Sequence, residues 1–391
     1  MSQKAGDVHT STGRQRFYSI LNKNKTSRDH ADGKLPVESI FMTQSAKLLS
    51  VATAVPPFCL EQSEVAAAAH QGFASRYGAY RALSRVFETS GIQRRYAVRP
   101  LEWYFEPLGW PERNQAYLDG AVALFIDAAS KALDAAGLCS TDVDTVVTVS
   151  STGIATPSLE ARAAGQMGFR PDIERVPVFG LGCAGGVTGL SIASRLAEAR
   201  PGSVVLVVAI ELCTLSFRLD ELTKANIVAT ALFGDGAAAC VLRTGESGIA
   251  EVEMSGQHSW PGTLDIMGWS VDPQGLGVIF DRAIPPFAEA NMASAVQGIL
   301  MRAGLEMGDV DRFAFHPGGK KVIIALERAF SLATGTLDHE RDILREYSNM
   351  SAPTALFVLD RVIKTGLPSR TLLTAMGPGF TASCVSLRKA S

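Results

Sequence analysis

The sequence predicts an α/β fold on three observations. Short β-branched runs alternate with alanine-rich amphipathic stretches, glycine reaches 36 of 391 residues, and a glycine turn leading into a small-residue strand occurs twice. At this length two domains or one large duplicated domain are expected.

Residues 1 to about 43 are polar, charged and aperiodic, which predicts a disordered arm, and Met42 is an alternative translation start. "KLLSVATAV" reads as the first strand. "QAYLDGAVALFIDAASKALDAAGL" reads as a helix ending at Gly137, followed by the strand "DTVVTVSSTG" and a helix near 158–168. Next come the strand "VPVF", a helix from Ala184 to about Ala199, and the strand "SVVLVVAI". This alternation predicts a mostly parallel sheet covered on both faces. "LFGDGAAACVLR" (232–243) is echoed by "MGPGFTASCVSLR" (376–388), and each copy closes a segment of strand–helix alternation. The echo predicts two related α/β halves, 44–247 and 248–391, joined near the polar, glycine-rich residues 245–250. The active site is then expected between them.

Charge narrows the function. The 37 Lys and Arg against 39 Asp and Glu leave a net charge of -2, with no clustered basic excess for nucleic acid. The longest aliphatic run, "VVLVVAI", is far short of a membrane span, and the first twenty residues lack an apolar signal core. A cytoplasmic enzyme without stable membrane insertion is expected. Cys59, Cys139, Cys183, Cys213, Cys240 and Cys384 form no C-x-x-C pair and the histidines no H-E-x-x-H, so no metal site or disulfide framework is expected.

"VPVFGLGCAGGVTGL" (177–191) has two readings. Gly180, Gly182 and Gly185 spell G-x-G-x-x-G, and Glu211 closes the next apolar run, the outline of a dinucleotide site in an NAD(P)-dependent dehydrogenase. Yet the same turn places Cys183 at a helix N-terminus, where partial positive charge favours a thiolate nucleophile. On this reading the flanking glycines leave room for an acyl group. His316, in "DRFAFHPGGKKV", falls at the C-terminal edge of a strand, and Asn349, in "REYSNMSAPTALFVLD", precedes an apolar helix with Ser351 as its N-cap. Singly, these are equally a buried thiol, a packed histidine and a turn residue. Together, Cys-His-Asn is a set that activates a thiolate and stabilises an oxyanion.

"GLGCAGG", "LFGDGAAA", "FHPGGKK", "YSNMSAP" and "MGPGF", in this order, resemble the type III polyketide synthases, relatives of chalcone and stilbene synthases. The similarity runs from about residue 47 to the C-terminus, and its type is that of bacterial alkylpyrone and alkylresorcinol synthases. The resemblance implies a thiolase-like fold of two pseudo-equivalent αβαβα halves, and a homodimer. It implies that Cys183, as a thiolate paired with imidazolium His316, takes an acyl starter from a CoA thioester, while His316 and Asn349 stabilise the enolate left when malonyl-CoA loses CO2. No metal, flavin or nicotinamide cofactor is implied, and Glu211 becomes structural.

Phe233 matches one of two gating phenylalanines, and Val278 stands at the other, with Phe280 two residues on. A wider, more aliphatic gate implies a fatty acyl starter and an alkyl pyrone or resorcinol product. Ser151, Cys213 and Ser216 match cavity-lining positions, and Gly377, Pro378 and Gly379 a cavity-wall loop. For the CoA phosphates Arg85 matches a basic position, whereas Ala82 and Thr89 stand where lysines are usual and Arg81, Lys320 and Lys321 compensate. Two other enzyme-like readings stay open: a ketoacyl synthase III, which stops after one condensation on acyl carrier protein, and an inactive thiolase-fold scaffold.

Overall fold

The structure is a computed structural model that describes residues 44–390. The expected arm and the Met42 start lie outside the described residues. In chain order the first part contains β1 (Ala46–Ala54), β2 (Phe58–Glu61), α1 (Gln62–Phe73), α2 (Tyr80–Leu83), α3 (Arg85–Thr89) and β3 (Arg94–Ala97). Then come α4 (Trp110–Ala136), β4 (Val143–Val149), α5 (Leu159–Met167), β5 (Glu174–Val178), α6 (Gly185–Ala199), β6 (Val204–Leu212), α7 (Lys224–Leu232) and β7 (Asp235–Thr244). The remainder comprises β8 (Ala250–Ser259), β9 (Met267–Asp272), β10 (Gly275–Phe280), α8 (Ile284–Met301), β11 (Arg312–Phe315), α9 (Lys320–Ala329), α10 (Asp338–Tyr347), α11 (Ala352–Gly366), β12 (Arg370–Gly377) and β13 (Thr381–Lys389).

Local signals account for the long helix α4. Pro111 occupies its first turn, Glu112 reaches back to accept the Gly109 N–H at 3.0 Å, and Gly137 ends it at φ 65°. It starts at Trp110, earlier than the apolar periodicity suggests, because that Gly-Trp-Pro-Glu start signal precedes the periodic residues. The aliphatic run of β6 is buried along its whole length, as a strand at the centre of a covered sheet must be.

Nine strands form one sheet in the order β11-β12-β13-β8-β1-β7-β6-β4-β5. It is mixed, which corrects the expectation of a mostly parallel sheet: only β4–β5, β4–β6 and β11–β12 pair in parallel. The tight turn between β12 and β13 has no room for a crossover helix, so those strands run antiparallel. β1 joins the two ends of the duplication, antiparallel to β7 on one side and β8 on the other.

The echo has a topological counterpart. β4-β6-β7-β1 pairs parallel, antiparallel, antiparallel, and β11-β12-β13-β8 repeats that sequence of pairings. The echoed segments form β7 and β13, at matching places in the two half-sheets. Helix α4 covers the outer face of the first half-sheet and α8 packs against β8 and β13 of the second, while α6 and α11 touch strands of both. The layers therefore run helix, sheet, helix, sheet, helix. The central pair, α6 and α11, each begins just after a candidate site residue.

Candidate active site

Cys183, His316 and Asn349, scattered over 167 positions of sequence (from 183 to 349 inclusive), line one cavity of about 60 Å³. Cys183 sits on the 3-10 turn Gly182–Ala184 between β5 and α6. His316 follows β11 directly, its N–H donating to the Thr374 carbonyl at 2.9 Å and so extending the β11–β12 pairing. Asn349 lies between α10 and α11, where its N–H donates to the Leu232 carbonyl at 2.9 Å and its carbonyl accepts from Gly234 N–H at 3.0 Å. The Asn349 amide is oriented at both ends: Nδ2 donates to the Gly318 carbonyl at 3.3 Å and Oδ1 accepts from Ser351 N–H at 2.8 Å.

Two of the glycines around Cys183, Gly182 and Gly186, are closely packed against the second half of the chain. Gly182 adopts φ +47°, and a Cβ there would lie 2.6 Å from Pro378 Cδ. A Cβ on Gly186 would lie 2.3 Å from the Ala352 carbonyl oxygen, where α6 abuts the first turn of α11. Protein atoms fill those two faces, while Gly182 and Cys183 also line the cavity. Glu211 is buried, and its Oε2 accepts the Ser151 N–H at 2.9 Å, so it has no ribose to meet.

Burial dominates the electrostatics. It pushes the Cys183 thiol up to about 11, against hydrogen bonds from Ser351 and Asn349 that favour the thiolate. It also pushes His316 down to about 3. Burial thus disfavours each charged form taken singly, whereas the resemblance implies the two charged together as a thiolate–imidazolium pair. Neither ring nitrogen of the buried His316 has a hydrogen-bond partner. Proton transfer from sulfur to imidazole creates both charges together, so their attraction offsets the desolvation that each would face alone.

Strain marks the asparagine loop. Ser348 holds φ +61° with ψ -164° and Ser351 φ +59° with ψ -127°, conformations that each cost on the order of 1–3 kcal/mol outside glycine. Ser351 does occupy the N-cap position of α11, but its side chain caps nothing in the helix, a correction to the expected role. It lines the cavity beside Cys183 instead.

The other expected residues divide. Phe233, Val278, Cys213 and Pro378 line the cavity. Phe233 and Cys213 also border a second cavity of about 40 Å³, which Ser216 lines with Tyr104 and Phe217. Ser151 lies beneath the nucleophile turn, its Oγ accepting the Gly180 N–H at 3.2 Å. Gly377 packs against the Leu181 carbonyl, and Gly379 turns the chain at φ +66°. Arg81, Arg85, Lys320 and Lys321 are exposed, and Lys320 runs alongside Gly91, which follows α3.

The cavity wall is more aromatic than Val278 suggests. Val278 is paired across the β9–β10 hairpin with Trp269, whose ring lies edge-on to Phe233 with centroids 6.3 Å apart. Phe280 approaches Phe233 at 6.5 Å, also edge-on. Nothing in "MGWSVDPQGLGVIF" marks Trp269 as a cavity wall in the sequence; only the hairpin register does.

Comparison with known proteins gives two family matches: the N-terminal domain of chalcone and stilbene synthases over residues 38–246, and their C-terminal domain over 251–390. A 1,3,6,8-tetrahydroxynaphthalene synthase of Streptomyces peucetius subsp. caesius is 38% identical over 354 residues, covering 88% of this chain and 93% of the relative. The α-pyrone synthesis polyketide synthase-like Pks18 of Mycobacterium tuberculosis is 29% identical, covering 87% and 90%. Among solved structures, the 1,3,6,8-tetrahydroxynaphthalene synthase of Streptomyces coelicolor A3(2), a bacterial type III polyketide synthase, superposes with a TM-score of 0.83 at 29% identity, covering 88% of this chain and 99% of that one.

Proposed function

From the premise that the chain belongs to the chalcone and stilbene synthase family, and is thus a type III polyketide synthase of the acyltransferase class with a thiolase-like fold, we propose the following site and reaction. Cys183 is the nucleophile, and His316 with Asn349 forms the oxyanion site. The observation that carries this reading is the pair of unpartnered His316 ring nitrogens, buried in the same cavity as the Cys183 sulfur and the Asn349 amide.

In the proposed cycle His316 accepts the Cys183 proton as sulfur attacks the starter thioester, and CoA leaves with that proton. Malonyl-CoA then loses CO2, and the electron pair of the broken C–C bond is delocalised onto the thioester oxygen. His316 and the Asn349 amide donate to that oxygen. The enolate carbon attacks the acyl thioester on Cys183, the C–S bond breaks, and the lengthened chain leaves on CoA for another round or for cyclisation. Each oxyanion donor contributes roughly 3 kcal/mol to the barrier. In this reading the CoA phosphates meet Arg81, Arg85, Lys320 and Lys321, supported by the exposure of all four.

The starter we propose is a fatty acyl group, and the product a pyrone or resorcinol. Supporting it are the apolar walls of the main cavity, with Met267, Ile279 and Met292 beside Val278, and the second cavity beyond Phe233 and Cys213. A second reading is favoured by the 38% identical relative: tetrahydroxynaphthalene carries no alkyl chain, and its ten ring carbons fit five two-carbon units from malonyl-CoA alone. Incubation with malonyl-CoA alone, or with a panel of acyl-CoA starters, separates the two by mass spectrometry. Product from malonyl-CoA alone, unchanged by added fatty acyl-CoA, overturns the fatty acyl reading. The same assay without carrier protein tests the ketoacyl synthase III alternative.

A cytoplasmic homodimer is also proposed. No helix among the described residues is long and apolar enough to cross a membrane. Ile154 and Phe179, 54% and 64% exposed, flank one surface cavity beside the edge strand β5, an apolar face suited to a second copy. Sedimentation equilibrium at micromolar concentration tests it, and a monomer there removes the proposal.

A further inference from the structure

Strand β3 carries a fully buried arginine that the proposed chemistry does not use. Arg95 points its guanidinium into the C-terminal end of α7. Nη1 donates to the carbonyls of Thr230 at 2.6 Å and Phe233 at 2.7 Å, and Nη2 to Ala231 at 2.8 Å and to Gln62 Oε1. These are end-of-helix carbonyls, which lack intrahelical partners and carry the negative end of the helix dipole. Four acceptors around one planar fork suit arginine and not lysine, whose single nitrogen cannot span them.

What those carbonyls lead to gives the contact its meaning. Phe233 follows α7 directly and bridges Asn349 in parallel, through Gly234 N–H to the Asn349 carbonyl and Asn349 N–H to the Leu232 carbonyl. Gly234 is wedged there: a Cβ would lie 2.2 Å from Ser348 Oγ and 3.3 Å from Arg95 Cβ. On the opposite side of the same bridge stand Ser348 and Ser351, both at positive φ. Strained backbone of this kind persists only where its surroundings over-determine it. Next to Arg95 on β3, Tyr96 stacks on Tyr347, with centroids 5.7 Å apart, at the end of α10. One short strand thus grips both segments that meet at the bridge.

We propose that Arg95 is a positioning residue for the gate and the oxyanion site together: by tying the end of α7 to β3, it fixes the Phe233–Asn349 bridge and through it the Asn349 amide. The inference rests on the proposed role of Asn349 in decarboxylation, and it assigns the bridge its function.

The test compares wild type with Arg95→Lys and Gln62→Met, the second leaving the arginine in place, should the first fail to fold, while removing its Gln62 acceptor together with the Gln62 Nε2 bonds to Phe87, Ser90 and Ala231. Amide hydrogen exchange is read at Gly234 and Asn349, with malonyl-CoA decarboxylation and acylation of Cys183 by acyl-CoA measured in parallel. In Arg95→Lys those two amides exchange about tenfold faster while the β6 amides are unchanged. The decarboxylation kcat falls about tenfold at near-constant KM, and Cys183 acylation stays within about twofold. Gln62→Met shows the same pattern more weakly. Retained protection of Gly234 and Asn349 in both variants overturns the proposal, as does a parallel fall of acylation, decarboxylation and melting temperature. If wild type itself releases no CO2 from malonyl-CoA, the reading of the site fails, and the exchange at the bridge still decides the role of Arg95.

Discussion

Gly182 and Pro378 meet so closely that a single methyl group would not fit between them: a Cβ on Gly182 would lie 2.6 Å from Pro378 Cδ and 2.8 Å from its Cγ. The contact joins the nucleophile turn of the first half to the β12–β13 turn of the second. Two separate costs follow from it, one steric and one conformational. Gly182→Ala is expected to destabilise the protein by about 2 kcal/mol, from the clash together with φ +47°. Adding Pro378→Ala should recover the steric part and leave the conformational part. Thermal melts of the two single variants and the double variant check this, and strict additivity would refute it.

Asn349→Ala should lower the rate of malonyl-CoA decarboxylation by roughly 10²–10³ in kcat, the usual worth of one oxyanion donor. Acylation of Cys183 from acyl-CoA, read by intact mass, should persist, because the sulfur keeps His316 as its proton acceptor. A variant unable to acquire the acyl group would place Asn349 in loading instead.

The pH dependence of Cys183 follows from burial. With the thiol pushed up to about 11, sulfur is protonated at neutral pH, and alkylation by iodoacetamide should climb steadily as pH rises toward that value. Glu211, raised by burial to about 8, is uncharged below that pH and adds repulsion to the thiolate above it. Glu211→Gln should therefore match wild type below about pH 8 and react faster above it. With His316 neutral down to about 3, no inflection near the ordinary histidine range is expected. Such an inflection would reveal a preformed thiolate–imidazolium pair.

Trp269 closes the wall that Val278 leaves thin, its ring set edge-on to Phe233. Trp269→Ala removes that wall and should shift starter preference toward longer or bulkier acyl groups, with kcat/KM for them raised by about tenfold. Competition between acyl-CoA starters, quantified by product mass, measures the shift. An unchanged product distribution would mean that Phe280 and Phe233 alone set the passage.

By itself, the sequence determined the strand–helix alternation from α4 to β6 and named the candidate chemistry-bearing residues. Local signals suffice for these: Gly137 ends α4 in the left-handed conformation, β6 is apolar from Val204 to Ile210 because both its faces are covered, and the cysteine, histidine and asparagine motifs stand in family order. The echo between 232–243 and 376–388 also foreshadowed the repeated half-sheets, since a strand at the same place in each half needs the same small residues. Tertiary structure decided the rest. Strand direction depends on which strands the chain lays side by side, and that made the sheet mixed where alternation suggested parallel. Ionisation depends on burial, which is a property of the folded cavity, and burial pushes the Cys183 thiol up and the His316 imidazole down. The glycines of residues 180–186 fit phosphate, nucleophile or packing equally well as letters. Pro378 and Ala352, brought against Gly182 and Gly186 from distant parts of the chain, add close packing to the reasons for glycine at those two positions.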